Sequence, residues 1–318
     1  MSIFVQQVIN GVAVGCLYSL VALGYTMVYG VLRMVNFAHG ELFMLGPMFA
    51  LSLLRAMGVV TGRLNTIKEQ LTGAKLAIVL VICFLGGALF STILALIMER
   101  VAYRPLRRAP VLTALISSLG VSIILQNATM LIFGGELKGF PRMLPTRYFT
   151  IMGASFSNIQ VFIAIVSVLL LIGLYYVVNR TYLGRCIRAV AEDSDAAGLV
   201  GVDVNRTIAS VFVLGPAIGA ASGVLFSVFY EQVYYLMGAT IGTKGWTAAV
   251  IGGIGNIWGA VIAGLFLGIV ETVGGGYLPI ITRGLLGSDY KHIFAFLILI
   301  IVLVFRPQGL LGEAVKTK

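Results

Sequence analysis

Charge is scarce in this chain. Only 11% of its 318 residues are Asp, Glu, Lys or Arg, whereas 59% are hydrophobic and the mean hydropathy is +1.02. A soluble domain has no use for that much apolar surface, so the composition points to a polytopic membrane protein. Cysteine is scarce as well. Cys16, Cys83 and Cys186 show neither paired nor metal-ligand spacing, which leaves three free thiols without a site role. The N-terminus, MSIFVQQVINGVAVG, lacks the basic n-region of a cleavable signal peptide, so the first apolar span is expected to stay in the mature protein. The chain contains no HExxH, no GxSxG and no Walker A sequence, so it carries no motif for a zincin, a serine hydrolase or an ATPase. No stretch accommodates a soluble domain.

What the chain does have is apolar runs of about 20 residues, continuous rather than alternating, which favour helices over barrel strands. They fall at 5–31, 42–57, 76–98, 111–134, 159–179, 207–229, 246–273 and 290–305, the seventh broken by glycine. The expected fold is all-α: one transmembrane bundle over 1–318 with about eight segments, some broken or re-entrant. Its 39 glycines suit close helix approach, and Gly11-xxx-Gly15, Gly215-xxx-Gly219-xxx-Gly223 and Gly264-xxx-Gly268 read as packing motifs. The formal charge of +10 comes from basic residues in short loops, which speaks for membrane orientation rather than nucleic acid. The densest cluster is Arg100, Arg104, Arg107 and Arg108. Arg180, Arg185, Arg188, Arg206, Arg306, Lys316 and Lys318 share its side, taken as cytoplasmic, against Arg63, Lys68, Lys75, Lys138, Arg142 and Arg147 opposite. That places the N-terminus outside and the C-terminus inside. The outer loop 135–158 is long enough for a small lid or docking surface.

VLRMVNFAHGELFMLG (31–46) and IGGIGNIWGAVIAGLF (251–266) align as an internal repeat, with Asn36 on Asn256. Matching interrupted segments point to a binding site or pathway. Asn36, His39 and Glu41 near a membrane boundary are costly unless they pair, hydrate or line a cavity. They read either as pathway or gate residues, or as a turn and helix start in which Glu41 suits the dipole. Gly253, Gly255 and Asn256 read either as unwound backbone lining a cavity or as a close helix crossing; a GxG nucleotide loop is excluded by the missing βαβ context. Glu231, Lys244, Glu271 and Asp289 near span ends are expected to be solvated or snorkelling. Glu271 is the least comfortable of them and the only carboxylate available to an ion-coupled transporter.

The polar segment between Thr181 and Thr207, GRCIRAVAEDSDAAGLVGVDVNRT, must lie in water. Ile187, Val190 and Ala191 make a narrow apolar stripe, Glu192, Asp193 and Asp195 stay wet, Ala196 and Ala197 keep one face shallow, and Gly201 closes the helix in the left-handed region. One short amphipathic helix over 185–203 fits docking into a partner's groove, and it fits equally a connecting helix on the membrane surface.

GYTMVYGVLRMVNFAHGELFMLG (24–46), ERVAYRPLRRAP (99–110), ALISSLGVSIILQN (114–127), GRCIRAVAEDSDAAGLVGVDV (184–204), TAAVIGGIGNIWGAVIAGLFLGIVE (247–271) and RPQGLLG (306–312) resemble the branched-chain amino acid ABC permeases, the shorter permease subunit above all. In that family an E-A-A stretch followed by glycine forms the helix that engages the ATPases. Glu192, Ala196, Ala197 and Gly201 are the counterparts, with Arg188 and Asp193 beside them, although three residues separate the acid from the alanines. The resemblance implies a second, related permease, two ATPase subunits that bind ATP and Mg, an extracytoplasmic substrate-binding protein and a place in a bacterial or archaeal cytoplasmic membrane. The chain itself would bind no cofactor, metal or nucleic acid. The implied cargo is leucine, isoleucine, valine and other neutral amino acids, with urea or short amides the alternative.

Overall fold

The computed structural model describes residues 2–62, 65–67, 71–107, 109–151 and 153–312. Arg63, Lys68, Arg108, Lys316 and Lys318, used above for orientation, lie outside the described residues, as does the side chain of Asp289. The chain is all-α apart from short two-stranded pairs. In order come α1 (Ser2–Leu32), α2 (His39–Ala56), β1 (Val60–Thr61), β2 (Thr66–Ile67), α3 (Gly73–Met98), α4 (Val111–Phe133), β3 (Lys138–Gly139), β4 (Tyr148–Ile151), β5 (Ala154–Ser157), α5 (Asn158–Arg180), α6 (Tyr182–Glu192), α7 (Ser194–Leu199), α8 (Val204–Tyr230), β6 (Gln232–Val233), α9 (Met237–Gly252), α10 (Ile257–Ile281) and α11 (His292–Phe305). A π turn, Glu99–Tyr103, and a 3-10 turn, Arg104–Leu106, continue α3.

Six helices among the described residues are long and apolar enough to cross a membrane, and α11 is a shorter apolar helix. The broken span expected at 246–273 is two helices, α9 and α10, parted at 253–256. The outer faces of α3, α4, α5 and α11 expose large aliphatic and aromatic side chains, among them Leu85, Ile116, Leu131, Ile172 and Phe305. That is the pattern of helices whose solvent is hydrocarbon.

By packing, the chain divides into two compact units, one of Met1–Thr26, Thr146–Val168 and Thr243–Lys318, the other of Met27–Pro145 and Leu169–Gly242. In the second unit α2, α3 and α8 pack mutually. Small residues bring their backbones together: a Cβ on Gly46 would meet the Ala220 carbonyl at 2.7 Å, and one on Gly87 the Gly46 carbonyl at 2.8 Å. Ser91 donates to the Leu42 carbonyl at 3.0 Å, and the Phe43 and Phe226 rings meet edge-on with centroids 5.7 Å apart.

In the first unit the two glycine motifs expected to pack do pack, and against each other. A Cβ on Gly15 would meet Leu265 Cα at 2.7 Å, and one on Gly264 would meet Ser19 Cα at 2.6 Å. Ser19 then donates to the Val261 carbonyl at 2.8 Å, a backbone approach that small residues permit in membranes. The 135–158 stretch is not one structural element. β3 pairs with β6 in the second unit, whereas β4 and β5 form a hairpin in the first, tied to α1 by paired bonds of 2.7 Å between Gln6 and Ser155.

Candidate functional site

The turn at 33–41 belongs to the second unit. α1 ends at Leu32, and Arg33 takes the left-handed conformation at φ 51°. Asn36 is buried, its Oδ1 accepting from the Ala38 N–H at 3.1 Å and from the Tyr103 hydroxyl at 2.7 Å. Ser118 of α4 donates to the Val35 carbonyl at 3.3 Å and accepts from the Phe37 N–H at 3.4 Å. His39 opens α2 fully buried, with its ring against Gly219 of α8. Glu41, 1% exposed, accepts through Oε1 from Ser122 at 3.1 Å, while Oε2 faces Gly238. Asn36 thus holds the turn; neither His39 nor Glu41 caps α2, whose N-cap position, Ala38, makes no side-chain bond. Among the described residues Asn36 Nδ2 and Glu41 Oε2 are buried with no hydrogen-bond partner. A buried polar atom without a partner costs about 1–3 kcal/mol.

The glycine break lies in the first unit. Gly253 and Gly255 have φ of 96° and 99°, conformations that L side chains rarely adopt. Asn256 is the N-cap of α10: its Oδ1 accepts from the Gly259 N–H at 3.0 Å, and its Nδ2 donates to the Leu311 carbonyl at 2.8 Å. Leu310 and Leu311 donate their N–H groups to Ile251 and Gly252 at the end of α9, at 2.8 and 3.1 Å. The AVIGGIGN and RPQGLLG stretches therefore form one interlocked structure, which sequence separation concealed. The close crossing here is Gly252 against Gly259; Gly255 faces open space. The aligned repeat segments share a local form: a helix, a left-handed residue at 33 or 253, and an asparagine three residues on whose oxygen accepts a backbone N–H.

The polar segment is two helices rather than one. Asp193 is extended at φ −153° and its Oδ1 accepts from the Asp195 and Ala196 N–H groups, both at 2.9 Å, so it caps α7. Ile187 and Val190 are buried, with α6 packed on α8, so the apolar stripe is covered by this chain's own helix. Glu192, Asp193, Asp195 and Ala196 are exposed but Ala197 is buried, which corrects the expectation of a shallow pair. Arg188 donates to the Val178 carbonyl and closes the C-terminal end of α5, a partner that suits an arginine at orphan carbonyls. Gly201 has φ 90°, the left-handed closure expected of it. The outermost apolar side chains of the segment are Leu199 and Val200, 89% and 80% exposed.

Lys244 corrects a further expectation. It is not solvated: its Nζ lies 2.5 Å from Glu271 Oε1 and 2.9 Å from the Tyr18 hydroxyl, with both charged residues at 5% exposure or less. Tyr18 donates to Glu271 Oε2 at 3.0 Å, and His292 Nδ1 lies 2.9 Å from Oε1. Glu231, by contrast, keeps water contact and pairs with Arg142 at 2.5 Å. The sequence places Lys244 just outside the 246–273 apolar run, so neither its burial in α9 nor its partner, 27 residues away, was readable.

Long apolar helices with apolar outer faces and an interrupted helix pair define the class of polytopic helical membrane proteins. Residues 7–303 match the family model described as the branched-chain amino acid transport system permease component. The high-affinity branched-chain amino acid transport system permease protein BraD of Pseudomonas aeruginosa is 40% identical over 317 residues, covering 98% of this chain and 96% of the relative. LivH of Escherichia coli, of the same description, is 39% identical over 319 residues, 98% and 96% of the two chains. A probable branched-chain amino acid permease of Methanocaldococcus jannaschii is 28% identical over 305 residues, 92% and 88%. The chain belongs to the branched-chain amino acid transport permease family.

Proposed function

We propose that this chain is the membrane subunit through which an ABC importer moves branched-chain and other neutral amino acids into the cytoplasm. The observation that carries this reading is the 40% identity across 98% of the chain to a permease named for that transport. The chain is the permease component; ATP and Mg belong to two partner ATPases. A second, related permease completes the membrane part, and an extracytoplasmic binding protein delivers the cargo. The N-terminus lies outside and the C-terminus in the cytoplasm, in line with the arginine density at 100–107.

In this reading the 181–206 segment is the ATPase-docking surface. Glu192 and Asp195 meet a basic rim, Leu199 and Val200 enter a groove, and Ala196 lets the partner approach. Arg188, Asp193, Ala197 and Gly201 shape that surface from behind by holding the two helices in place. In the second unit Asn36, His39 and Glu41 are the candidate pathway residues, and in the first unit Gly253, Gly255 and Asn256 are, through unwound backbone. Glu271, the carboxylate that the sequence offers to an ion-coupled mechanism, is engaged by Lys244, Tyr18 and His292.

The test is reconstitution. The chain purified in mild detergent should bring a second permease and two ATPases in stoichiometric amounts. In vesicles with the binding protein, the complex should take up leucine on ATP addition and leave urea outside. A chain that purified alone and moved solute down an ion gradient would sink the proposal.

A further inference from the structure

Two side-chain arms leave the 181–206 segment: one ends at Arg33, three residues before Asn36 in the same turn, and the other at Asn36 itself. The first starts where α6 stops. The backbone turns extended at Asp193, so the Ala191 carbonyl is among the last four of its helix and has no partner further along it. Arg33 Nη2 donates to that carbonyl at 3.2 Å. Arg33 is the left-handed residue that closes α1, three positions before Asn36.

The second arm starts at the other end of the segment. Asn205, in the first turn of α8, accepts from Arg107 Nη1 at 2.7 Å. Arg107 Nη2 pairs with Glu99, which is 6% exposed. Glu99 and Arg107 bracket the π and 3-10 turns that carry Tyr103, a fully buried ring set 5.7 Å from Phe212 of α8. The Tyr103 hydroxyl donates to Asn36 Oδ1 at 2.7 Å. An irregular helical turn of this kind places a side chain that regular geometry would aim elsewhere.

We propose that Arg33, Tyr103 and Arg107 are positioning residues that carry displacement of the 181–206 segment to Asn36, so that the segment and the 33–38 turn move together. The inference rests on reading that segment as the ATPase-docking surface. It assigns the YRPLR stretch, which the proposed function leaves without a role: Tyr103 and Arg107 are its two contact points, joined through the Glu99 ion pair. Tyr103 is fully buried, and Arg33 and Arg107 each make a hydrogen bond within this chain.

The experiment uses the whole complex in vesicles and reads leucine imported per ATP hydrolysed. Arg33→Gln removes the first arm. Tyr103→Phe keeps the ring against Phe212 and removes only the hydroxyl. Both variants should co-purify with the ATPases and support hydrolysis, while import per ATP falls roughly twofold to thirtyfold, the range found for residues that modulate coupling without touching ligand. Combining the two should lower it further, and Arg33→Lys, which still reaches the carbonyl, should recover most of the loss. Full import per ATP in the combined variant, with Glu192→Lys uncoupled alongside it, would overturn the relay and leave the docking surface intact. Parallel loss of import and hydrolysis that Arg33→Lys does not restore would make these residues braces of the fold and would also overturn it. A wild-type chain that failed to bind ATPases would remove the docking reading and the relay together.

Discussion

Lys244 and Glu271 stand 2.5 Å apart with almost no water contact, and Tyr18 bonds to both. An isolated charge at that depth is expensive, so the pair exists only as a pair. Glu271→Leu or Lys244→Met alone should lower stability by about 3–5 kcal/mol, because each leaves the other charge buried and uncompensated. The double variant Lys244→Met/Glu271→Leu should recover most of it. Thermal aggregation midpoints in detergent check this, and a double variant worse than either single one would refute it. Glu192 and Asp193 are neighbours with different work. Glu192→Lys reverses charge on the exposed face and should abolish ATP-driven import while the purified chain melts as before; normal uptake would remove Glu192 from the docking surface. Asp193→Ala loses the cap of α7 and should cost about 1 kcal/mol of local stability, seen as faster amide exchange over Ser194–Leu199.

The α9–α10 junction is built from two stretches of chain. Asn256 caps α10 with one end of its amide and holds Leu311 with the other. Asn256→Ala should cost about 1 kcal/mol, and Asn256→Ser should return the cap alone. If import recovers in Asn256→Ser along with stability, Asn256 serves the junction; if import stays low in a stable Asn256→Ser chain, the side chain takes part in passage. The glycine contacts give a sharper contrast. A Cβ at Gly268 would land on the Gly15 backbone, whereas one at Gly120 would meet nothing within 4 Å. Gly268→Leu should therefore force α1 and α10 apart and cost roughly 1–3 kcal/mol or more. Gly120→Ala should be neutral or slightly stabilising, since alanine is the better helix former by about 0.5–1 kcal/mol. Equal melting points for the two variants would show that these contacts do not hold the helices.

Across the chain, the bundle was legible because a membrane span announces itself in one dimension: about 20 apolar residues in a row. Hence α1, α3, α4, α5, α8 and the break between α9 and α10 were all readable to within a few residues. The division of the 181–206 segment at Asp193 was not, because an aspartate followed by serine and aspartate reads as one wet helix face until its side chain is seen bonding the next two amides. Nor was the solvent status of Lys244, because hydropathy assigns a lone lysine near a span end to water and carries no information about a carboxylate on the next helix.

Composition and pattern alone thus settled the membrane class, the helical fold, the positions of most spans, the two interrupted segments and the water-facing segment, all properties of residues adjacent along the chain. Tertiary structure alone decided which polar groups meet: Lys244 with Glu271, Tyr103 with Asn36, Arg33 with Ala191, Asn256 with Leu311. A hydrogen bond forms only within about 3 Å, and which distant residues come that close is set by how the glycine-lined helices pack.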